Sequence, residues 1–472
     1  MIVLLQRKNY LFLLWGYRHM DPNLRESIKL QELGNGLRDG TAMSWLFCYQ
    51  DTQSKVDPLV DREEMQILRN LARQVARLAE LPIQDERKKL WSDHHSLKIT
   101  RPPIFIDPEY AWYELIPHTQ LQCKNNLARI WEYRLRKEIF WQENIEDDRV
   151  CSKDFPVCHV FRRSGFGIDY HTTKGRKQDG AYHIDTVMPD WDDFPKLHHR
   201  EIYIDYERTN RILELAHETF DGILNVVIRN SWWYSDRLSE EAVFLRGFEN
   251  FLCDFYEYPE ELHALMAFLR DDHLQMLDFL EREKLLSLNN NGEFIGTGGY
   301  GWCDELPGPD YDPSHVKLQN MWGYGESQVT IHVSPALFNE FVLQYQVPIL
   351  ERFGLNFYGC CETLDDRLDY ICRAVPRLRT VSVSPWSDPE FMAKELRGNY
   401  VFCWKQNPAK IAVAAPVWED IRQEAAKVFS LTAENGCPTE VLMRDVRTLA
   451  YSPTHAADWV RILREESRKV YG

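Results

Sequence analysis

From Asp61 onward, apolar residues fall at three- and four-residue spacing (Met65, Leu68, Leu71, Val75, Leu78), with charged residues between them. That period predicts an amphipathic helix over 61–81. A second helix is expected over 86–97, ending before Arg101-Pro102-Pro103. The apolar triplet Ile104-Phe105-Ile106 then reads as a short strand that leaves Asp107, Pro108 and Glu109 at its end. Residues 126–144 carry Leu127, Ile130, Ile139 and Phe140 on one side of a helix. A helix over 208–219 leads to an apolar strand over 223–228, which delivers Arg229, Asn230 and Trp232. Two helices, 240–255 and 260–286, are parted at Pro259. Phe294-Ile295 runs into Gly296-Thr-Gly-Gly-Tyr300, which lacks the lysine and the spacing of a phosphate loop. A strand over 317–321 runs into the glycine-rich Trp322-Gly-Tyr-Gly-Glu326, where glycine permits a ligand to approach the backbone.

The pattern is most regular after residue 334. Ser334-Pro335 opens a helix. Strands are expected over 355–358, 380–383, 400–404 and 440–443, each followed by a polar exit and then a helix, over 364–374, 388–396, 417–431 and 456–466. Units of this kind at roughly 20- to 40-residue spacing are parallel β/α units. Counting from Ile104, roughly eight strands are expected, the number a closed (β/α)₈ barrel needs, and active sites of that fold sit at the C-terminal strand ends. Cys360, Cys361 and Glu362 stand at one such end, just past Gly359. Side chains alternate along a strand, so both thiols reach one mouth only if the backbone turns there.

Residues 1–60 have no strong period and read as an N-terminal extension punctuated by turns. Arg7 and Lys8 interrupt the apolar start, unlike a signal peptide, and Met20 offers an alternative start. Residues 61–472 read as the barrel, with 150–200 a long excursion over its mouth that carries His171, His183 and Asp185.

Composition narrows the function. The 472-residue chain carries a formal net charge of −16, which argues against a nucleic-acid surface. No apolar run is long enough to span a membrane. Eleven scattered cysteines suit reduced thiols in the cytoplasm better than a disulfide framework. Aromatic residues make up 13% of the chain, with 15 Trp, which suits aromatic interiors and substrate walls. His94-His95 reads as a solvated pair on a surface helix, and His332 as a structural residue before a helix cap.

Asn320-Met-Trp-Gly323, Pro348-Ile-Leu-Glu-Arg-Phe-Gly354 and Tyr358-Gly-Cys-Cys-Glu362 resemble the uroporphyrinogen decarboxylase superfamily. So do Val381-Ser-Val-Ser-Pro-Trp386 and Leu442-Met-Arg-Asp-Val-Arg-Thr448. The resemblance implies a (β/α)₈ TIM barrel with its site at the C-terminal strand ends. In the decarboxylases an arginine-bearing segment after the first strand grips the substrate's carboxylates. Here that stretch is Ile106-Asp-Pro-Glu-Tyr-Ala-Trp112, which is acidic. The superfamily's corrinoid-linked methyltransferases hold zinc through a His-x-Cys at the strand end and a further Cys near the last strand. Here Cys360 matches, Tyr358 stands in place of the histidine, and Asp445 stands at the last strand.

The expectation is therefore an enzyme of that superfamily, a methyltransferase using a thiolate or zinc site, with a small-molecule substrate and a corrinoid protein as partner. Cys360, Glu362 and Asp445 are the catalytic candidates, Cys360 and Cys361 the metal ligands. Trp322, Glu326, His183, Arg229 and Trp386 are the substrate-binding candidates. A decarboxylase would instead set Arg229, Arg444 or Arg447 against a substrate carboxylate. A third possibility is a non-catalytic barrel that binds a tetrapyrrole among its aromatics.

Overall fold

The computed structural model describes residues 58–168, 186–230, 237–296 and 299–472, with the backbone alone of 172–174, 182–184 and 235–236. The side chain of His183, all of His171, Asp185 and Trp232, and most of the N-terminal extension lie outside the described residues.

Among the described residues the first helix runs Arg62–Ala79. Asp61 closes its start, accepting from the Glu64 amide at 2.9 Å while Glu64 accepts from the Asp61 amide at 3.0 Å. Helix Ile83–His95 follows. The strands are, in chain order, β1 (Ile104–Ile106), β2 (Asp154–Val157), β3 (Val160–Arg163), β4 (Thr172–Lys174), β5 (Tyr182–Ile184), β6 (Ile202–Asp205), β7 (Asn225–Ile228), β8 (Ser235–Asp236), β9 (Trp322–Gly325), β10 (Leu355–Tyr358), β11 (Leu378–Val383), β12 (Val401–Lys405) and β13 (Thr439–Met443).

Seven of them form one sheet in the order β1-β13-β12-β11-β10-β9-β8, and every pairing in it is parallel. Strands β1, β9, β10, β12 and β13 are buried along their whole length. A parallel sheet covered on both faces reads as a continuous apolar run, which is why β1, β10, β12 and β13 were legible. The helices Pro389–Leu396, Trp418–Glu434 and His455–Tyr471 return the chain between the last strands or close it off. The architecture is α/β.

Strands β2 and β7 form a separate parallel pair. They belong to a second apolar cluster in which Phe155, Val157, Ile212 and Phe220 pack with Leu68, Leu71 and Trp131. Among the described residues no ladder joins β1 to β2 or β7 to the large sheet, so a closed eight-stranded cylinder is not shown. Side chains satisfy the open edges instead. Asp148 and Asp147 accept from the amides of Ile104 (2.9 Å) and Ile106 (3.0 Å). The Asn289 amide bonds both the N–H and the C=O of Trp322, each at 2.9 Å, in the way a paired strand would.

A hairpin around Phe294 and Tyr300 covers the sheet beside these edges. Phe294 and Tyr300 pack on Phe105 of β1 at 5.2 and 5.3 Å between ring centroids. Gly296 has φ +58°, and a Cβ there would overlap the Tyr324 ring. Arg229 pins the hairpin to the small sheet by pairing with Glu293 at 3.1 Å and Asp154 at 2.5 Å.

Two local expectations are corrected. The helix read over 240–255 is two helices, Leu238–Arg246 and Phe248–Glu257, broken at Gly247 (φ +75°), where a side chain would strike Thr186. The strand read over 317–321 is a short turn, Leu318–Asn320, held by Asn320 accepting from the Lys317 amide at 3.0 Å. The true strand starts at Trp322.

Candidate active site at the strand ends

The parallel strands bring their C-terminal ends to one edge of the sheet, so the residues that follow β1, β9, β10, β11, β12 and β13 share it. Gly359 turns the chain there with φ +101°. The turn resolves the alternation problem, because the Cys360 and Cys361 sulfurs lie side by side at 3.5 Å. Cys360 is buried and Cys361 half-buried.

Polar groups surround the pair. Cys361 donates to Asp445 Oδ2 at 3.1 Å. The Lys405 ammonium, at the end of β12, donates to the Cys360 carbonyl at 3.0 Å, and Ser382 donates to the same oxygen at 2.7 Å. The hydrogen bond from Cys361 lowers the Cys360 thiol; burial opposes this, the Lys405 charge adds to it, and the result is about 7. The same shared proton, with burial, pushes Cys361 well above the usual thiol range. Lys405 is buried, which disfavours its charge, yet the neighbouring thiols and Glu362 outweigh that and raise its pKa. The two sulfurs thus divide their roles: Cys360 ionises and Cys361 keeps its proton.

Glu362 is buried, and both its oxygens are occupied. Oε2 accepts from the Cys360 amide at 2.8 Å and Oε1 from the Ser327 amide at 2.9 Å. It ties the exit of β10 to that of β9 and positions Cys360. Glu326, on the β9 exit, is buried, and burial, then the charges of Cys360 and Glu240, raise its pKa well above the usual carboxylate range. Arg237 stands 3.5 Å from Glu326 and is shared with Glu240. Elsewhere on this edge, Arg444 pairs with Glu109 at 2.9 Å and lies over the Phe294 ring. Burial is the main cause that raises Glu109 to about 7, opposed by Arg444. Asp445 and Glu109 both hold positive φ, +59° and +45°. Strained backbone of this kind gathers at functional sites.

Of the sequence candidates, the structure brings Cys360, Cys361, Glu362, Asp445 and Glu326 to this edge. Trp322 is not at a strand exit. It opens β9, is fully buried, and donates to Asn290 at 2.9 Å, so it belongs to the opposite end of the sheet. Arg229 follows β7 of the small sheet, and its ion pairs with Asp154 and Glu293 occupy it. Trp386 lies past β11 and is 69% exposed, a rim residue. His183 pairs with Thr173 in the β4·β5 ribbon, and its side chain lies outside the described residues. His332 is exposed.

Lys405 was visible as a polar strand end, but only its packing under Cys360 shows its role. His94 and His95, expected in solvent, are fully buried against Glu440, whose Oε2 lies 3.2 and 3.1 Å from their Nε2 atoms. The sequence signal for that cluster was Glu440 itself, a charge against the apolar run Val441-Leu-Met443 of its strand.

No protein-family model matches the chain, and no curated protein matches it. Among solved structures it is similar to a methyltransferase from Methanosarcina mazei, with 8% identity and a TM-score of 0.43, covering 82% of this chain and 99% of that one. At that identity the likeness assigns neither residues nor activity. No helix among the described residues is long and apolar enough to cross a membrane.

Proposed function

We propose that the protein is a methyltransferase with a (β/α)₈ barrel of the uroporphyrinogen decarboxylase type, in which the Cys360 thiolate activates the methyl acceptor. The observation that carries this is the thiol pair at the strand ends, 3.5 Å apart, with Lys405 beneath Cys360 and Asp445 against Cys361. A base with a pKa near 7 takes a proton efficiently at neutral pH. Cys360 accepts the proton of an incoming thiol, R–SH. The resulting R–S⁻ attacks the donor's methyl carbon, and the donor leaves with the bonding electron pair. Glu326, whose carboxyl is biased toward its protonated form, offers an O–H to the bound molecule, and Cys361, between Asp445 and Cys360, keeps its proton and shares it with the thiolate. A corrinoid-bound methyl group on a partner protein suits such a donor.

This reading needs no zinc at the mouth. The donors there run as a chain, sulfur to sulfur to carboxylate. Among the described residues, the three-donor group whose ligand atoms all lie within 4.8 Å of one another is found elsewhere, at His94, His95 and Glu440. A decarboxylase is disfavoured by charge: Arg444 is engaged by Glu109 and Arg229 by Asp154 and Glu293, while Arg447 lies over the Tyr110 ring at 4.1 Å.

The test is methyl transfer from methylcobalamin to small thiols, read as thioether product, for the wild type and Cys360→Ser. Product that disappears in the variant, with the fold retained, supports the proposal. Undiminished transfer by Cys360→Ser, or carbon dioxide release from tetrapyrrole carboxylates without any methyl transfer, overturns it.

A further inference from the structure

The N-terminal end of the sheet holds a second cluster that the proposed chemistry does not use. Helix Ile83–His95 ends with two adjacent histidines, and both rings are fully buried. Glu440, the second residue of β13, is fully buried between them. One carboxylate oxygen, Oε2, faces both Nε2 atoms, at 3.2 Å from His94 and 3.1 Å from His95.

The hydrogen inventory of these groups is short. His95 Nδ1 lies 2.6 Å from the Trp302 carbonyl, which can only accept, so Nδ1 carries a hydrogen. In the neutral ring, Nε2 then presents a lone pair toward a carboxylate oxygen that also presents lone pairs. An imidazole whose far N–H is fixed by a backbone carbonyl is the usual outer-shell arrangement of a metal-binding histidine. His94 adds a buried Nδ1 without a partner and an Nε2 that faces the same carboxylate oxygen, and Glu440, beside the Cys403 thiol, adds an Oε1 without a geometric hydrogen bond. Buried polar atoms without partners are uncommon, and each calls for an explanation such as an ion. Here each of the three side chains brings one donor atom to within 4.8 Å of the others.

The spacing suits a shared ion. Two donors each about 2.0–2.1 Å from a tetrahedral zinc stand roughly 3.3–3.4 Å apart. The ligand atoms of the three residues all lie within 4.8 Å of one another, so a small movement closes them on one centre. Two imidazoles and a carboxylate form a zinc donor set, and a divalent cation neutralises the buried Glu440 charge. Trp91 stacks against His95 at 5.7 Å and Trp322 packs on it at 5.2 Å, which seals the cluster from water.

We infer that His94, His95 and Glu440 form a structural zinc site that clamps the end of helix Ile83–His95 to the N-terminal end of β13. Because the cluster is sealed, the ion enters during folding and leaves only on unfolding.

The test is zinc content of the full-length chain carrying Cys360→Ser and Cys361→Ser, which removes both mouth sulfurs and leaves the buried cluster intact. After chelator treatment of the folded protein, one zinc per chain is expected to remain, to be released on denaturation. Glu440→Gln is expected to lower the retained zinc at least tenfold. If Glu440→Gln does not fold, refolding of the wild type with and without added zinc gives the same information, and a higher yield with zinc is expected. Absence of zinc from the folded Cys variant, retention by Glu440→Gln, or equal refolding yields would overturn the inference and leave a His95 imidazolium–Glu440 ion pair.

Discussion

The two ends of the large sheet handle charge in opposite ways. At the C-terminal end, Cys360, Cys361, Asp445 and Lys405 are linked by hydrogen bonds, Cys361 is half open to solvent, and the backbone at Asp445 is strained. At the N-terminal end, His94, His95 and Glu440 are sealed, and several of their polar atoms have no partner. A group meant to react must be reachable and must have somewhere to send a proton. A group meant to hold the fold together gains from exclusion of water, which strengthens its electrostatics but makes an unmatched charge costly. The contrast therefore separates chemistry from architecture within one sheet.

The largest effect that tests this contrast is on stability. Glu440→Ala strips two buried imidazoles of the carboxylate they share, and each buried polar group left unmatched costs about 1–3 kcal/mol. A denaturant titration should show that loss. A change under about 1 kcal/mol would mean that Glu440 is not the keystone of the lower end.

Next in size is Gly296→Ala. The added Cβ meets the Tyr324 ring at positive φ, and Tyr324 has little room to yield, since its hydroxyl donates to the Gly359 carbonyl at 3.1 Å. Strain of this kind costs about 1–3 kcal/mol. Because Gly359 precedes the thiols, the substitution should also slow Cys360 alkylation, which makes it a probe of whether the hairpin supports the mouth. Thermal unfolding and alkylation kinetics measure the two effects separately.

Third is Lys405→Met. With Cys360 lowered to about 7, its thiolate persists above that pH and is lost as pH falls through it. Removing the ammonium returns the thiol toward its ordinary range, so alkylation at pH 7 should slow about tenfold and its midpoint move to higher pH. An unchanged profile would mean that Cys361 alone sets the Cys360 pKa.

How much of this could be read beforehand depends on the range of the interactions. Strands β10 to β13 and their polar exits were legible because a covered parallel strand is an apolar run and its end is a polar break, both local patterns. The pairing of Cys360 with Cys361 depended on the turn at Gly359, and a glycine shows only that a turn is permitted. Lys405 and Cys360 are 45 residues apart and His95 and Glu440 are 345 apart, so their meeting is fixed by sheet order, which no local pattern carries. Trp322 was misplaced for a related reason: a glycine-rich stretch does not reveal at which of its ends the strand begins. Periodicity also misjudged His94 and His95, since the buried face of their helix is written mostly in polar residues (Gln84, Arg87, His94 and His95 beside Trp91), which an apolar pattern does not mark.

The smallest predicted effect is at Trp386. Its indole is 69% exposed, and its backbone amide bonds Ser384 Oγ at 3.3 Å, a contact that any side chain at this position would keep. Trp386→Ala should therefore leave stability within about 0.5 kcal/mol of wild type. An exposed aromatic beside a strand end nonetheless offers a flat face to an incoming ligand, and loss of that face should raise the KM for the methyl donor severalfold while kcat holds. The split matters for the contrast between the two ends. A KM effect without a stability effect places Trp386 with the reactive edge, whereas an unchanged KM would confine that edge to the thiols, Lys405 and their carboxylates.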